Sequence, residues 1–590
     1  MSIAWYKDKV GCLILFVISL ILFTRAVDIH GLEYRDDEVF YVKSTHEMLQ
    51  NHNYLSPTYF GEARFQKPIL FYWLILAAYK IFGVNWFAAR IVAALFGALT
   101  VSLTWLLARD FFGRKIANLG AAILMTTPMF LRHAKNAVPD MPLNFFIVLS
   151  MFLIAKIILL LDREEIGKDE KAVINICSIG FFVSIGLGFM VKGLAAISVP
   201  LITVAIYAAF YKDIRLISSL RIIRGILITS VIILPWFLFM MYQHGNEYVN
   251  HMLITETKDR IVGLDPVTLP GWIKMFFQNI GYYLYIILSY FAPWSVFSFV
   301  GIPSILRFNR LWLERHSRMV HFLLIWLLTV IAVFSVMSFH INHYMLVLST
   351  PFSIMVSLFF LEKLDRKLVL GRWIFRFQKI MALFVFIVSV IAAILLIVVF
   401  LKYPIGWAIG LTIIASFMVT WIAFTPRQRL APWVIATVLI IAFANSRVLS
   451  EAGITFHSVL QKFARTIQHH ETNDMIIAVG SNDLHEKEFQ AYFSQKVIKV
   501  ATSSEEQTIQ GLSRIFNSKN TVYCLITEKD YEKYLKDKYS GLQIMEENNM
   551  FRKRIYLDRQ FFDGVFDLDR KVIFPYFMEK ILLVKKSFSS

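Results

Sequence analysis

The sequence predicts a polytopic α-helical membrane protein of about 13 transmembrane helices, followed by a small α/β domain. Three observations predict it. Of 590 residues, 57% are hydrophobic and only 17% charged, and the mean hydropathy is +0.59; a soluble chain carries nearer a quarter charged residues. Long runs with few charges recur from the N-terminus to about residue 447, separated by short loops rich in Lys and Arg. Beyond residue 448 the pattern changes to short apolar runs set between polar segments.

The first run, Gly11 to Val27, follows Lys7 and Lys9 but precedes no small-x-small cleavage pattern, so it reads as a retained span. Basic loops set the topology: Lys7/Lys9, Arg109 to Lys115, Arg163 to Lys171, Lys212 to Arg224, Arg307 to Arg318, Lys363 to Lys379 and Arg427/Arg429 are read as inside. The spans between them are 10–27, 86–108, 116–133, 141–161, 173–191, 194–211, 222–241, 279–304, 319–338, 344–361, 380–401, 404–425 and 430–447. Pro68 to Phe82 is too short to span and is assigned to an interfacial helix. Residues 28–85 and 242–278 then form two large external loops of a membrane domain covering 1–447. In the domain 448–590, Met475 to Gly480, Val497 to Val500 and Val522 to Ile526 read as strands, and Glu486 to Phe493 and Glu528 to Lys536 as helices. The topology puts this domain outside, with no Walker loop, Rossmann glycine pattern or Cys/His metal spacing in it.

The formal charge of +18 does not indicate a nucleic-acid partner, because the cations fall in short loops between spans. That distribution follows the positive-inside rule and suits anionic lipid headgroups. The three cysteines, Cys12, Cys177 and Cys524, imply no disulfide framework.

Candidate chemistry collects on the predicted external side. Arg35-Asp36-Asp37-Glu38 places three consecutive acids beside the bilayer, where carboxylates are too costly to be lipid-facing filler. The same loop carries Arg64, Gln66 and Lys67. Arg132, His133, Lys135, Asn136 and Asp140 fall at the next external junction, and Lys192 at a span break. Glu256, Lys258, Asp259 and Arg260 lie in the second large loop, and His340, His343 and Tyr344 at a later junction. Carboxylates from separate loops with several cations suit transfer of a group from a phosphate leaving group. Lys and Arg hold the phosphate as charge develops, and a carboxylate orients or deprotonates the acceptor, or holds a metal. The bland readings are a solvated loop charge for Asp37, helix capping for Asp36 and Glu38, a helix N-terminal carboxylate for Asp140, and snorkelling for Lys67 and Lys192.

Several segments in order resemble one family. Asp37-Glu38-Val39-Phe40-Tyr41 resembles an Asp-Glu-x-x-Tyr motif, and Lys67-Pro68-Ile69-Leu70-Phe71-Tyr72-Trp73 a Lys-Pro-Pro-Leu-x-Tyr-Trp segment. Phe87-Ala88-Ala89-Arg90 through Phe112-Gly113-Arg114, Asp140-Met141-Pro142-Leu143, Val191-Lys192-Gly193 and His343-Tyr344 match further motifs. These belong to the GT-C glycosyltransferases of lipid-linked sugars, in particular the bacterial aminoarabinose transferases of lipid A and the dolichyl-phosphate-mannose-protein mannosyltransferases. The resemblance covers about residues 10–360. It implies an inner-membrane glycosyltransferase with a periplasmic active site and a periplasmic C-terminal domain. The implied donor is an undecaprenyl-phosphate sugar, with an amino sugar among the cargoes, and the implied acceptor is lipid A or another envelope molecule. Asp37 would match the principal catalytic aspartate, Asp140 a supporting one, Lys67 a phosphate-binding lysine and Arg260 an arginine of the second loop. Glu38 joins the catalytic set, and Gln66, Lys192, His340, His343 and Tyr344 the substrate-binding one.

The chain departs from the family at four of these positions. Gln66 stands where aminoarabinose transferases have Glu before Lys-Pro, and Thr257 where many have a His after Glu256. That Glu and His are associated with a divalent metal in the family; losing both argues against the same metal site, and the metal requirement stays open. Phe40 replaces an arginine of the first motif, and His340 a lysine before His-Tyr. Two other readings remain: protein O-mannosylation, and a transporter or flippase of lipid-linked sugars. The second would favour internal repeats and midplane charges, neither of which is evident.

Overall fold

The computed structural model describes residues 3–24, 36–252 apart from 164, 254, 269–361 apart from 293, 296–297, 299–309 and 339, positions 380, 383 and 387, and, with short gaps, 459–551 and 578–587. The predicted spans 380–401, 404–425 and 430–447 therefore lie outside the described residues, as do Arg260, Glu256 and Thr257. The described residues group into two compact units: 3–24 with 44–387, and 36–43 with 459–587.

The first unit is helical. Its helices are α1 (Ile3–Thr24), α2 (Asp36–Gln50, whose first residues group with the second unit), α3 (Leu70–Phe82), α4 (Trp86–Phe112), α5 (Arg114–Thr126), α6 (Pro128–His133), α7 (Asp140–Leu161), α8 (Lys168–Lys192), α9 (Ala195–Tyr211), α10 (Ile214–Leu220), α11 (Ile222–Asn250), α12 (Leu269–Tyr290), α13 (Arg310–Ser335) and α14 (Ser349–Leu361). Among the described residues, five are long and apolar enough to cross a membrane: α4, α7, α8, α11 and the Arg318–Ser335 part of α13. The predicted span 116–133 breaks in two, because Thr127 leaves the helical region at ψ 120° and Pro128, lacking an N–H, restarts the chain as the first residue of α6. The Pro68–Phe82 segment forms a helix of 13 residues with Phe71, Tyr72, Ile75, Leu76, Ala78 and Tyr79 buried, and it packs on α4 and α8. Helix α11 runs on to Asn250, past its expected end, and kinks at Gly245.

Antiparallel packing of α7 on α8 and of α8 on α9, with α11 running parallel to α8, gives the unit two unlike ends. At one end lie the loops with Arg109, Arg114, Lys115, Arg163, Lys168 and Lys212. Ion pairs knit that end: Asp110 accepts from Arg109 at 2.5 Å and pairs with Lys156. Arg318 bridges Asp162 and Asp213. At the other end the N-termini of α7 and α9 meet the C-terminus of α8. Two glycines allow this meeting. A Cβ on Gly188 would come within 2.8 Å of Ala196 and 3.2 Å of Phe146, so only glycine lets α7, α8 and α9 approach this closely. Gly193, at φ 96° and ψ −147°, turns the chain sharply from α8 into α9 through a conformation open essentially to glycine alone.

The second unit holds a five-stranded sheet, in the order β4 (Ile498–Lys499), β3 (Met475–Val479), β5 (Thr521–Thr527), β7 (Met578–Lys586), β6 (Leu542–Phe551). β3 runs parallel to β4 and β5, and the β5–β7 and β6–β7 pairs are antiparallel. Alternate residues enter different cores, as the period of two requires. Ile477, Tyr523, Leu525 and Leu583 pack with Phe463 and Ile467 on one face, and Ala478, Val522, Cys524 and Leu582 with Leu512 and Phe516 on the other. Covered on both faces, these strands read as continuous apolar runs, which made Met475–Val479 and Val522–Ile526 legible. The helix Glu505–Phe516 and the strands β6 and β7 lie beyond the elements read from the sequence.

Candidate active site

Asp140 is the first residue of α7 and Lys192 the last of α8. A carboxylate at a helix N-terminus and an ammonium at a C-terminus each oppose the local helix dipole, so both charges are favoured before they meet. They do meet: Lys192 Nζ lies 2.6 Å from Asp140 Oδ1, with only 10% and 7% of the two side chains exposed. His343 Nε2 approaches the same oxygen at 3.5 Å. His343 is the second residue of the short 3₁₀ segment Asn342–Leu348; the residue after it, Tyr344, stacks on Phe334 of α13 at 4.4 Å between ring centres and carries Lys192 Nζ 5.8 Å from its own ring centre. The ring of His133, at the end of α6, stands 6.2 Å from that of His343.

These groups line a cavity of about 300 Å³. Its polar side chains are Gln66, Asp140, Lys192, His343 and Tyr344; its apolar walls include Leu143, Phe189, Phe237, Met252, Phe334 and Met337. It opens at the end of the bundle opposite the basic loops, since α7 begins there and α8 ends there. A second, apolar recess of about 200 Å³ is lined by Phe182 and Ile185 of α8, Ile197 and Leu201 of α9, and Ile226, Thr229, Ser230, Ile233 and Leu234 of α11. The cavity takes Phe189, Ala195 and Phe237 from the same three helices, so the recess continues the same seam one to three turns deeper into the bundle.

Gln66 is presented by a tied loop. The carboxylate of Glu47 accepts the Thr58 hydroxyl at 2.7 Å and the N–H groups of Phe60 and Gly61 at 2.8 and 3.2 Å, fixing the hairpin of β1 (Thr58–Tyr59) and β2 (Glu62–Ala63). Trp236 Nε1 donates to the Leu55 carbonyl at 2.9 Å, and Ser56 Oγ shares a hydrogen bond of 2.8 Å with His244 Nε2. Phe65 is buried, its ring edge-on to those of His244, Tyr248 and His251. Arg64 Nε donates to the Tyr72 hydroxyl at 3.0 Å.

Of the residues singled out in the sequence, the structure therefore brings together Gln66, Asp140, Lys192, His343 and Tyr344. Lys67 is buried beside them in the chain, its Nζ donating to the Gln66 carbonyl at 2.7 Å, and it is not among the residues lining the cavity. His340 is also absent from the lining: it is exposed and packs its ring on Tyr282 at 4.7 Å. Asp37 and Glu38 open α2 in the part that groups with the second unit, Asp37 exposed and Glu38 buried. The apolar walls carry no sequence signal, since a cavity-lining Phe looks like any core or lipid-facing Phe. Glu47, also not singled out, is a structural carboxylate consumed by its hairpin.

Gln66 offers a neutral amide where a metal would want a carboxylate, and among the described residues no three His, Cys, Asp or Glu side chains gather as a metal site.

The fold is shared with a solved protein. ArnT from Cupriavidus metallidurans, in its crystal structure bound to undecaprenyl phosphate, matches over 97% of this chain and 98% of its own, with a TM-score of 0.68 at 16% identity. The chain has a GT-C fold of the aminoarabinose-transferase kind. The family model of the dolichyl-phosphate-mannose-protein mannosyltransferases matches residues 10–250 of this GT-C chain. An undecaprenyl phosphate-α-4-amino-4-deoxy-L-arabinose arabinosyl transferase of Pseudomonas fluorescens is 28% identical over 331 residues, 56% of this chain and 55% of that protein. A second such transferase of the same species is 24% identical over 426 residues, 70% and 68% of the two chains. The aligned part thus spans just over half the length of the first of these relatives.

Proposed function

We propose that this GT-C protein is an inner-membrane glycosyltransferase that moves a sugar from a polyprenyl phosphate to lipid A or another envelope acceptor on the periplasmic face. The observation that carries the reading is the Asp140–Lys192–His343 cluster, set in a largely apolar cavity at the end of the bundle opposite the basic loops. Such a cavity suits a substrate whose polar head reacts at the membrane surface while its tail stays in lipid. The donors acted on by the similar transferases, undecaprenyl-phosphate sugars, have that form.

The chemistry is a displacement at the anomeric carbon. An acceptor oxygen forms the new bond to that carbon, and the bond to the phosphate oxygen breaks. Its electron pair leaves with the polyprenyl phosphate. A hydroxyl acceptor also gives up a proton, for which Asp37 is the proposed base or orienting group. A phosphate acceptor is already ionised, and positioning plus charge stabilisation then carry the reaction. Asp140, held by Lys192 and His343, supports the bound head group, and Lys67 and Arg260 receive the departing phosphate.

The recess between α8, α9 and α11 suits the polyprenyl tail, being largely apolar and lying deeper along the same three helices that wall the cavity. Ser230→Trp would fill the recess. It is expected to raise KM about tenfold for a long-chain donor, the loss of one or two buried apolar groups, and to leave a short-chain, water-soluble donor unaffected. Equal loss with both donors would refute this placement of the tail.

Mass spectrometry of lipid A from cells with and without the protein tests the function itself. A sugar mass present only with the protein is the expected result. Unchanged lipid A together with altered periplasmic glycoproteins would move the acceptor to protein, as in the mannosyltransferases.

A further inference from the structure

We propose that the basic end of the bundle holds a binding site for anionic phospholipid headgroups, built on α10 and the two residues that flank it, Lys212 and Arg221. α10 joins α9 to α11 and packs across the ends of α7, α8 and α9, with Leu216 and Leu220 buried. Asp213 anchors its start, accepting from the Leu216 N–H at 3.4 Å and pairing with Arg318. At its end the Leu220 carbonyl accepts from Ser178 Oγ at 2.7 Å. The outer side of this turn is open and mixes two kinds of side chain. Ile214 and Ile223 are 79% and 81% exposed, and Lys212, Arg215 and Arg221 are exposed among them. Apolar groups interleaved with cations at the ends of spans suit the headgroup layer of a bilayer better than water.

The backbone at both flanks is strained. Lys212 and Arg221 stand in the left-handed region, at φ 51° and 50°, and are two of only four described non-glycine residues with positive φ. Their N–H groups close the last turns of α9 and α10, a task glycine performs without the Cβ penalty. Arg221 also starts α11, where a cation opposes the helix dipole. Neither side chain has an ion pair or hydrogen bond among the described residues, so no polar contact there offsets these costs. Arg215 has only a 3.7 Å share of the Asp213 carboxylate that Arg318 also uses. A lipid phosphate does offset them, accepting from a guanidinium in bidentate fashion and from an ammonium as a point charge. Free phosphate would meet the cations and leave Ile214 and Ile223 in water, so the lipid is the ligand assigned. Lys168 and Lys171, at the same end, differ: they share the first turn of α8 with Asp169 and Glu170.

The experiment records native mass spectra and thermal unfolding of the purified full-length protein in neutral detergent, with added phosphatidylglycerol, phosphatidylcholine or inorganic phosphate. The wild type is expected to bind phosphatidylglycerol about tenfold more tightly than phosphatidylcholine, with the difference shrinking at high salt. Lys212→Gly/Arg221→Gly is expected to bring that ratio to about twofold or less, while the melting temperature without lipid stays level or rises as the left-handed strain is relieved. Lys212→Asn/Arg221→Asn, which also tolerates that conformation, is expected to lose the preference in the same way. Lys168→Gln/Lys171→Gln removes two charges from the same end and is expected to keep it. Equal binding of the two lipids by the wild type, a ratio unmoved by the glycine and asparagine pairs, or an equal loss in the Lys168/Lys171 pair overturns the site. Inorganic phosphate binding as tightly as phosphatidylglycerol overturns the assignment to lipid.

Discussion

Asp140→Asn is expected to lower sugar transfer by about two to three orders of magnitude in kcat, the scale found when one preorganised electrostatic group is removed from an active site. The asparagine keeps the shape and loses the charge. Lys192, 90% buried at the end of α8, is then left facing a neutral amide and apolar walls. Removing one member of a buried ion pair costs about 3–5 kcal/mol, so the melting temperature should fall as well. The two effects separate in the double variant Asp140→Asn/Lys192→Met. Deleting the orphaned cation should recover most of the stability and none of the turnover. Recovery of turnover with stability would assign Asp140 to scaffolding alone. The measurement is thermal unfolding in detergent beside initial rates with a labelled donor.

Asp37→Asn is expected to reduce turnover by about two to four orders of magnitude, the range for loss of a positioned acid–base group, with a hydroxyl acceptor showing the larger effect. Stability should hardly change. Asp37 is exposed, and its contribution at the first turn of α2 is the few tenths to 1 kcal/mol of a carboxylate near a helix N-terminus. Near-normal rates in membranes supplied with donor and acceptor would remove Asp37 from the catalytic set. Glu38, adjacent but fully buried, makes the contrast: its replacement should register first in stability.

The helical frame was legible because lipid imposes a simple rule on sequence: long apolar runs punctuated by cations. The rule placed α4, α7, α8 and α9 close to their observed ends. It failed at Thr127-Pro128, where a run that is continuous in composition is cut by one missing N–H, and at α11, whose last turns follow a glycine kink that hydropathy does not register. Asp140, Lys192 and His343 could be picked out singly, as charges at span ends. That all three converge on one carboxylate oxygen depends on the close approach of α7, α8 and α9 through Gly188 and on the turn at Gly193. Spacing along the chain carries none of that, since Asp140 and His343 lie some two hundred residues apart. Lys67 and His340 show the reverse limit. Both stand in suggestive motifs, but only local bonding shows their immediate neighbours: Lys67 Nζ donates to the Gln66 carbonyl beside the cavity, where it stays close to the proposed phosphate, whereas His340 packs on Tyr282. Gln66 looked like a loss relative to the family's carboxylate. It lines the cavity as a neutral amide.

The most direct measurement of the central claim is made in liposomes containing the purified protein, lipid A and a polyprenyl-phosphate sugar labelled separately in its sugar and its phosphate. Transfer predicts that the sugar label appears on lipid A while the phosphate label stays on the polyprenyl chain, and that Asp37→Asn and Asp140→Asn each suppress this separation. Movement of both labels together from one leaflet to the other, with no labelled acceptor, would contradict it and make the protein a carrier of lipid-linked sugar.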